Sequence, residues 1–453
     1  MYLANNKSML SSLNMQRMNS RLKKTITYGY NLYFNEQNQQ VATGIGDEAR
    51  EHTPINAARI VSANILTKLG DALANPKTVL TWIMTSAGVS VGLVSLIVPI
   101  RESGSMIFHT VIASVIQSYQ FRKRVWILGS VLQGVSVIAM GMATMWYTGN
   151  SFGIVMVGLL IIFSLARGLC SVSAKDVLGK TVPKTRRGRI NAFSSSLSGI
   201  LVFIVGGFLI QGSDNYNNET LGILLVCAGV LWFLASFVYR GIKEFPGETS
   251  NNKHILGESI RKLMLIGSDN VLRKFIIARS LLLCSALITP FFLTLGQRDL
   301  GTNISLLGAF VVINGIGTFI GGPLWGPLAD TNSSKLMAIG GILSAFIGFS
   351  SLVVSSLEFL QPHILWYYLI GFLILIISHE AVRLGRKTYV VDIAQGNERS
   401  TYVAVSNTAI AIVLLITGVA TALISSLSLP LVIIVLSSMG ILGGYMSMQL
   451  KKV

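Results

Sequence analysis

Apolar stretches of about 20 residues, separated by short polar breaks, run through most of this chain. At 1.5 Å per residue, a helix of that length matches a bilayer core of about 30 Å. In lipid a helix also satisfies its own backbone hydrogen bonds. Ten stretches are plain: 90–118, 125–148, 152–178, 189–211, 219–241, 271–296, 304–329, 334–356, 364–388 and 400–426. An eleventh, 428–449, follows after a very short turn. Residues 58–85 are apolar too, but they carry Lys68, Asp71, Asn75, Pro76 and Lys77. They read either as a first span or as an amphipathic surface helix. Counted as a span, they give an all-α membrane protein of twelve transmembrane helices with both ends on one side.

Charge tests this layout. With the N-terminus inside, cytoplasmic breaks hold almost all Lys and Arg: Arg122–Arg124, Lys180–Arg189, Lys243–Lys274, and Arg386, Lys387 and Arg399. The outer breaks hold Arg298 alone. Such asymmetry is the positive-inside pattern. It places both termini in the cytoplasm and the protein in the plasma membrane, or the inner membrane of a bacterium. If 58–85 does not span, the N-terminal tail lies outside and the other loops stay where they are. The tail, 1–57, is polar and rich in Asn, Gln and Ser, which predicts disorder. Its basic cluster Arg17, Arg21, Lys23 and Lys24 either contacts anionic lipid or is simply solvated.

Composition narrows the classes. Only 12% of the 453 residues are charged, against about 25% in soluble domains. The formal charge of +17 would suggest nucleic acid in a soluble protein. Here the basic residues lie between apolar spans, so no nucleic-acid partner is expected. Cys170, Cys227 and Cys284 all fall in apolar segments without metal-ligand spacing. No metal, no cofactor and no enzyme activity are expected, because paired catalytic carboxylates, a nucleophile elbow and a phosphate loop are all missing. The break 242–270 contains Pro246, Gly247 and the run Glu248–Lys253. It reads as a linker between six-helix units at 58–241 and 271–449. A shift of 212 residues superposes their loops and spans, placing Lys123 on Lys335, Arg187 on Arg399, Ser194 on Ser406 and Arg167 on His379. Parallel six-span repeats belong to one large transporter fold.

Three segments carry a family resemblance. Residues Gly326–Lys335 read GPLADTNSSK and resemble the loop motif G-x-L-x-D-R-x-G-R-R/K of the major facilitator superfamily. Gly326, Leu328, Asp330 and Lys335 match, while Thr331 and Ser333 depart. The first-half copy, Ser114–Lys123, keeps Arg122 and Lys123 but has Ser114 and Ser118 for Gly and Asp. Val182, Pro183, Arg187, Gly188 and Arg189 resemble a second family segment. The antiporter motif expected near Gly206 is poorly kept, with Val202 and Phe203 at its Gly-Pro positions. The resemblance covers about 58–449. It implies two pseudo-symmetric six-helix halves, alternating access, a cytoplasmic hinge loop at Gly326, Asp330 and Lys335 with Arg187 and Arg399, and a small-molecule substrate. A monomer is expected. Gly326 would permit close helix contact, and Asp330 would meet positive helix ends or basic neighbours.

Ionisable groups inside spans complete the reading. Each costs on the order of 3 kcal/mol at mid-bilayer, which points to a cavity. The resemblance implies a cavity lined by the first, fourth, seventh and tenth spans. These contain Lys68 and Asp71, Arg167, Arg279, and His379, Glu380 and Arg383. The second span adds Arg101 and Glu102. Lys68 with Asp71, and Glu380 with Arg383, are three apart and can pair on one helix face. Structural pairing and the handling of substrate or protons both fit these charges. Asp71, Glu102 and Glu380 are the candidate proton carriers. The expectation is a secondary transporter of a small solute, driven by an ion gradient and coupled to protons. A drug-type exporter or uniporter of the same fold, and a non-transporting receptor or assembly factor, are the alternatives.

Overall fold

The computed structural model describes residues 47–107, 118–211, 218–247, 264–357, 362–394 and 399–451, with residues 24, 25, 27, 28, 112 and 116. The described elements are helices. The first set comprises α1 (Asp47–Leu73), α2 (Val79–Ser86), α3 (Val91–Ser95), α4 (Ile97–Ile107), α5 (Lys123–Trp146), α6 (Gly149–Thr181), α7 (Lys184–Ile210) and α8 (Asn218–Arg240). After the short α9 (Leu265–Ser268) come α10 (Asn270–Leu281), α11 (Cys284–Leu300), α12 (Ile304–Ser356), α13 (Ile364–Asp392), α14 (Arg399–Leu427) and α15 (Leu429–Met448). Nine helices among the described residues are long and apolar enough to cross a membrane. Together they account for the ten expected stretches from 125 to 449, because one of them is two legs. A straight helix of the 53 residues of α12 would be about 80 Å long. It turns at Asn332, whose φ of −157° and ψ of 80° are not helical. The Asn332 side chain accepts from the Lys335 amide at 2.9 Å and the Ser334 hydroxyl at 3.0 Å, capping the second leg.

The stretches 58–85 and 90–118 are not single helices. Pro76 lacks an amide hydrogen and disfavours helix at Asn75, so the chain breaks between Leu73 and Val79. Asn75 Oδ1 accepts from the Lys77 amide at 2.8 Å, and the Thr81 hydroxyl donates to the Pro76 carbonyl at 2.7 Å. Together α1 and α2 run antiparallel to α6 from end to end. The Thr53 hydroxyl reaches the Thr181 carbonyl at 3.3 Å, and beyond α2 the Ser90 amide reaches Asn150 Oδ1 at 2.9 Å.

Three expected boundaries move. Residues 47–57 belong to α1, not to a disordered tail. Ala49, Asn56 and Ala57 are buried, and Asn56 exchanges two 2.9 Å hydrogen bonds with the backbone of Lys243. The start of the expected linker is docked, with Ile242 and Glu244 buried. Run Glu248–Lys253 and most of the N-terminal tail lie outside the described residues. Arg386 and Lys387 lie in α13 rather than in a loop.

The packing is that of a lipid-embedded bundle. Ile200, Phe203 and Phe208 on α7, and Ile416, Leu423 and Leu427 on α14, are exposed, as a membrane-facing surface requires. Small residues bring helices together inside. A Cβ on Gly141 of α5 would stand 2.6 Å from the Gly222 carbonyl of α8. Between the two sets, Gln297 donates to the Trp82 carbonyl at 3.3 Å and meets the Ser86 hydroxyl at 3.1 Å. Trp82 packs on Phe310 with 6.0 Å between ring centroids. Near the same end α7 meets α12 at Gly206 and Gly308, and Pro99 seats against Gly418 of α14.

Candidate functional site

Helix breaks and buried charge build one cavity between the two sets. The break after α1 presents Asn75 and Lys77. Asp71 comes from α1, Arg101 and Glu102 from α4, and Arg167 from α6. Asn314 and Thr318 come from α12, and His379, Glu380 and Arg383 from α13. These residues line a cavity of about 260 Å³.

Asp71 is the centre of the first-set charges. One oxygen accepts from Arg101 at 2.7 Å, and Arg167 Nη1 reaches both oxygens at 2.5 and 2.6 Å. The Arg101 guanidinium also lies 4.6 Å from the Phe163 ring centroid, a favourable cation–π arrangement. On α13 the Arg383 guanidinium pairs with Glu380. Lys77 Nζ stands 2.9 Å from His379 Nε2, and His379 Nδ1 lies 3.3 Å from the Ser285 hydroxyl. Lys77–His379 joins the two sets at mid-bundle. Behind Asp71 and Arg167 a second chamber of about 250 Å³ is lined by Asn64, Thr67, Lys68, Gln133 and Cys170, among others. The Asp71–Arg167 pair borders both chambers.

Seven expected residues meet in the cavity: Asp71, Arg101, Glu102, Arg167, His379, Glu380 and Arg383. The Glu380–Arg383 pair forms as its spacing implies. The Lys68–Asp71 ion pair does not. Lys68 instead bonds the Ser195 hydroxyl of α7 and lines the second chamber. Arg279 is buried away from the cavity lining, donating to Ser406 Oγ at 3.0 Å and Asn407 Oδ1 at 2.9 Å on α14. The two basic residues therefore play parallel parts, each tying an early helix of its set to a late one. Lys77, Asn314 and Thr318 escaped the sequence reading as site residues. For Lys77 the signal was available: a lysine just after Asn-Pro, inside an apolar run, is aimed by a helix break.

The hinge residues behave unevenly. Gly326 has nothing within 4 Å of where a Cβ would stand, so it does not mark a close helix contact. Asp330 and Lys335 are exposed, and among the described residues Asp330 makes no ion pair. Arg187 donates to the carbonyls of Gly179 at 2.7 Å and Val182 at 3.0 Å, covering the free carbonyls at the end of α6. Arg399 opens α14; its side chain lies outside the described portion, as does Ser114. The richer network is in the first set, where the loop motif looked degraded. Glu244 accepts from the amides of Arg122 at 2.9 Å and Lys123 at 2.8 Å, which caps the positive end of α5. Lys180 joins Glu244 to Asp176, and Asp176 also pairs with Arg122.

In the second set, Asp269 caps α10 through the amides of Val271 and Leu272 and accepts from the Tyr402 hydroxyl. Slight burial acts to raise its pKa, but these hydrogen bonds prevail and hold it below the ordinary carboxylate value. Among the described residues, no group of three or more His, Cys, Asp or Glu side chains could hold a metal ion.

The model of the Major Facilitator Superfamily matches residues 60–297. The inward open xylose transporter XylE from E. coli superposes with a TM-score of 0.64 at 13% identity, covering 88% of this chain and 97% of that one. A POT family transporter in complex with 5-aminolevulinic acid gives a TM-score of 0.65 at 13% identity, covering 87% and 96%. The nucleoside transporter NupG gives 0.62 at 13% identity, covering 86% and 98%. At such identities the likeness concerns the fold. No curated protein matches the sequence.

Proposed function

The chain belongs to the major facilitator superfamily, and from that premise we propose that it is a secondary-active transporter carrying a small solute by alternating access. The observation that carries this reading is the charged cavity between the two helix sets, whose lining comes from both. A lipid-buried cluster of this kind is costly unless it faces water or substrate. A non-transporting receptor on the same scaffold would not need it.

The finer reading has α1 with α2, and α3 with α4, as two broken crossings preceding the other ten, giving twelve helices in halves 58–241 and 271–449. Both termini are cytoplasmic. The Gln297–Trp82 contacts and the Gly206–Gly308 approach then close the outer side, which makes this an inward-facing state. The protein acts as a monomer and uses a proton gradient, with Glu102, which makes no ion pair among the described residues, as the first candidate carboxylate and Glu380, paired with Arg383, as the second. Asp71 is less suited to release and rebind a proton, since two arginines already occupy its oxygens.

Reconstitution in proteoliposomes tests this. With an inward proton gradient, a substrate panel should contain a solute that accumulates above equilibrium, and collapsing the gradient should stop accumulation. Equal, purely downhill uptake in both conditions would make the protein a uniporter.

A further inference from the structure

We propose that Lys77 and His379 form a joint site for a small oxyanion, a carboxylate or a phosphate ester, and one proton. The inference rests on the transporter reading and specifies its substrate class. Its starting point is the 2.9 Å contact between Lys77 Nζ and His379 Nε2. Two nitrogens this close need one lone pair between them. With the lysine protonated and the imidazole supplying the lone pair, the pair carries one positive charge. A second proton removes the lone pair, turns both groups into donors and drives them apart.

The surroundings decide what a doubly charged pair would attract. The Ser285 hydroxyl of α11 faces the other ring nitrogen. Asn314 and Thr318 of α12 are uncharged. Glu380, Arg383 and Arg386 lie on the same helix as His379, and Glu102 of α4 lies near Lys77. Of the lining acids, Asp71 is occupied by two arginines and Glu380 by Arg383. The lining holds four cations, Lys77, Arg101, Arg167 and Arg383, against three acids, Asp71, Glu102 and Glu380. With His379 neutral the cavity has an excess of one positive charge; protonation makes it two. Among the described residues, Lys77 makes no ion pair. An oxyanion entering beside it would find the lysine ammonium and, once Nε2 is protonated, an imidazolium donor.

Proton and anion therefore assist each other. The proton enters at the imidazole lone pair and frees Lys77. The anion then bridges the break after α1 and helix α13, one from each set. When the anion leaves on the other side, the proton leaves Nε2 and the Lys77–His379 bond forms again. Glu102 is the internal acid that competes for Lys77 while the cavity is empty.

The test uses the full-length protein in lipid nanodiscs, with lactate, succinate and glycerol 3-phosphate as oxyanion probes. Xylose and choline serve as neutral and cationic controls. At least one oxyanion should raise the melting temperature and draw about one proton per molecule from weakly buffered solution, by reciprocal linkage. Its affinity should rise as the pH falls, because each anion bound takes up a proton. Phosphate-only or carboxylate-only binding identifies the source of the anion. His379→Gln should abolish the proton uptake and the pH dependence, and hold the affinity at about pH 5.5 down to the parent's value at about pH 8. Lys77→Gln should weaken binding about tenfold or more, the scale of a charged hydrogen bond. Glu102→Gln should tighten it. Proton uptake by the unmodified protein needs no variant to fold. Oxyanion binding without proton uptake would overturn the proposal. So would transport of xylose or choline with no response to oxyanions, which would leave the transporter reading standing.

Discussion

Asp71 carries one negative charge and faces two guanidinium groups, at 2.7 Å for Arg101 and 2.5 Å for Arg167. Asp71→Asn would leave two like charges beside each other in a largely desolvated place. Breaking a buried pair from one side costs about 3–5 kcal/mol; some water in the cavity brings the expectation toward about 3 kcal/mol. The variant should lose much of its thermal stability in detergent, whereas Lys68→Gln should change it by less than about 1 kcal/mol. Equal melting temperatures for Asp71→Asn and the parent would show that the arginines find other partners. The contrast also marks what a sequence can reveal about single residues. Glu380 and Arg383 pair as their spacing implies, because both lie on one helix one turn apart. Lys68 and Asp71 have the same spacing but do not pair, because Asp71 meets arginines 30 and 96 positions away. Spacing along one helix carries no information about those neighbours.

Helices α7 and α12 meet where glycine faces backbone. A Cβ on Gly308 would stand 2.6 Å from the Ile210 amide nitrogen, and one on Gly206 would be 2.6 Å from the Val312 side chain. At Gly308 the obstacle is backbone, which cannot rotate aside. Gly308→Val should therefore oppose closure at this end and favour the alternative conformation. A cysteine at Asn314, in a background free of native cysteines, should react faster with a membrane-impermeant maleimide applied from outside when Gly308→Val is present. An unchanged rate would mean that α7 and α12 separate without consequence for access. The long apolar spans themselves were legible, since ten of the expected stretches fall within nine membrane-length helical segments, one bent at Asn332 and one broken between α10 and α11. What was not legible was that the first two stretches are broken into separate helices. Their breaks and charges, Asn75, Pro76 and Lys77 in one and Arg101 and Glu102 in the other, serve the cavity at the expense of regular helix. What blurs the hydropathy pattern there is the site itself.

The course of the first helices bears on the whole molecule. If α1 and α2 lay on the membrane surface, they could not meet both ends of α6. Yet Thr53 reaches Thr181 at the end of α6, and Ser90 reaches Asn150 at its start. The 33 residues of α6 span about 50 Å, more than a bilayer core of about 30 Å. The chain from α1 to the α2–α3 turn therefore travels the full depth of the bundle, which argues for a crossing and against the eleven-span alternative. The basic breaks add the direction. Arg122, Lys123 and Lys180 gather with Asp176 and Glu244 at the Thr181 end of α6, and the positive-inside rule places such clusters in the cytoplasm. On the proposed topology the N-terminus, which precedes α1, lies on that side too. Cysteines introduced at 122–124, at 180–189 and in the N-terminal tail should resist an impermeant maleimide applied to intact cells and react after permeabilisation. Cysteines at 214–218 should react from outside. Labelling of the tail from outside, with 122–124 still protected, would mean that α1 and α2 do not cross, and the depth argument from Thr53 and Ser90 would fail with it.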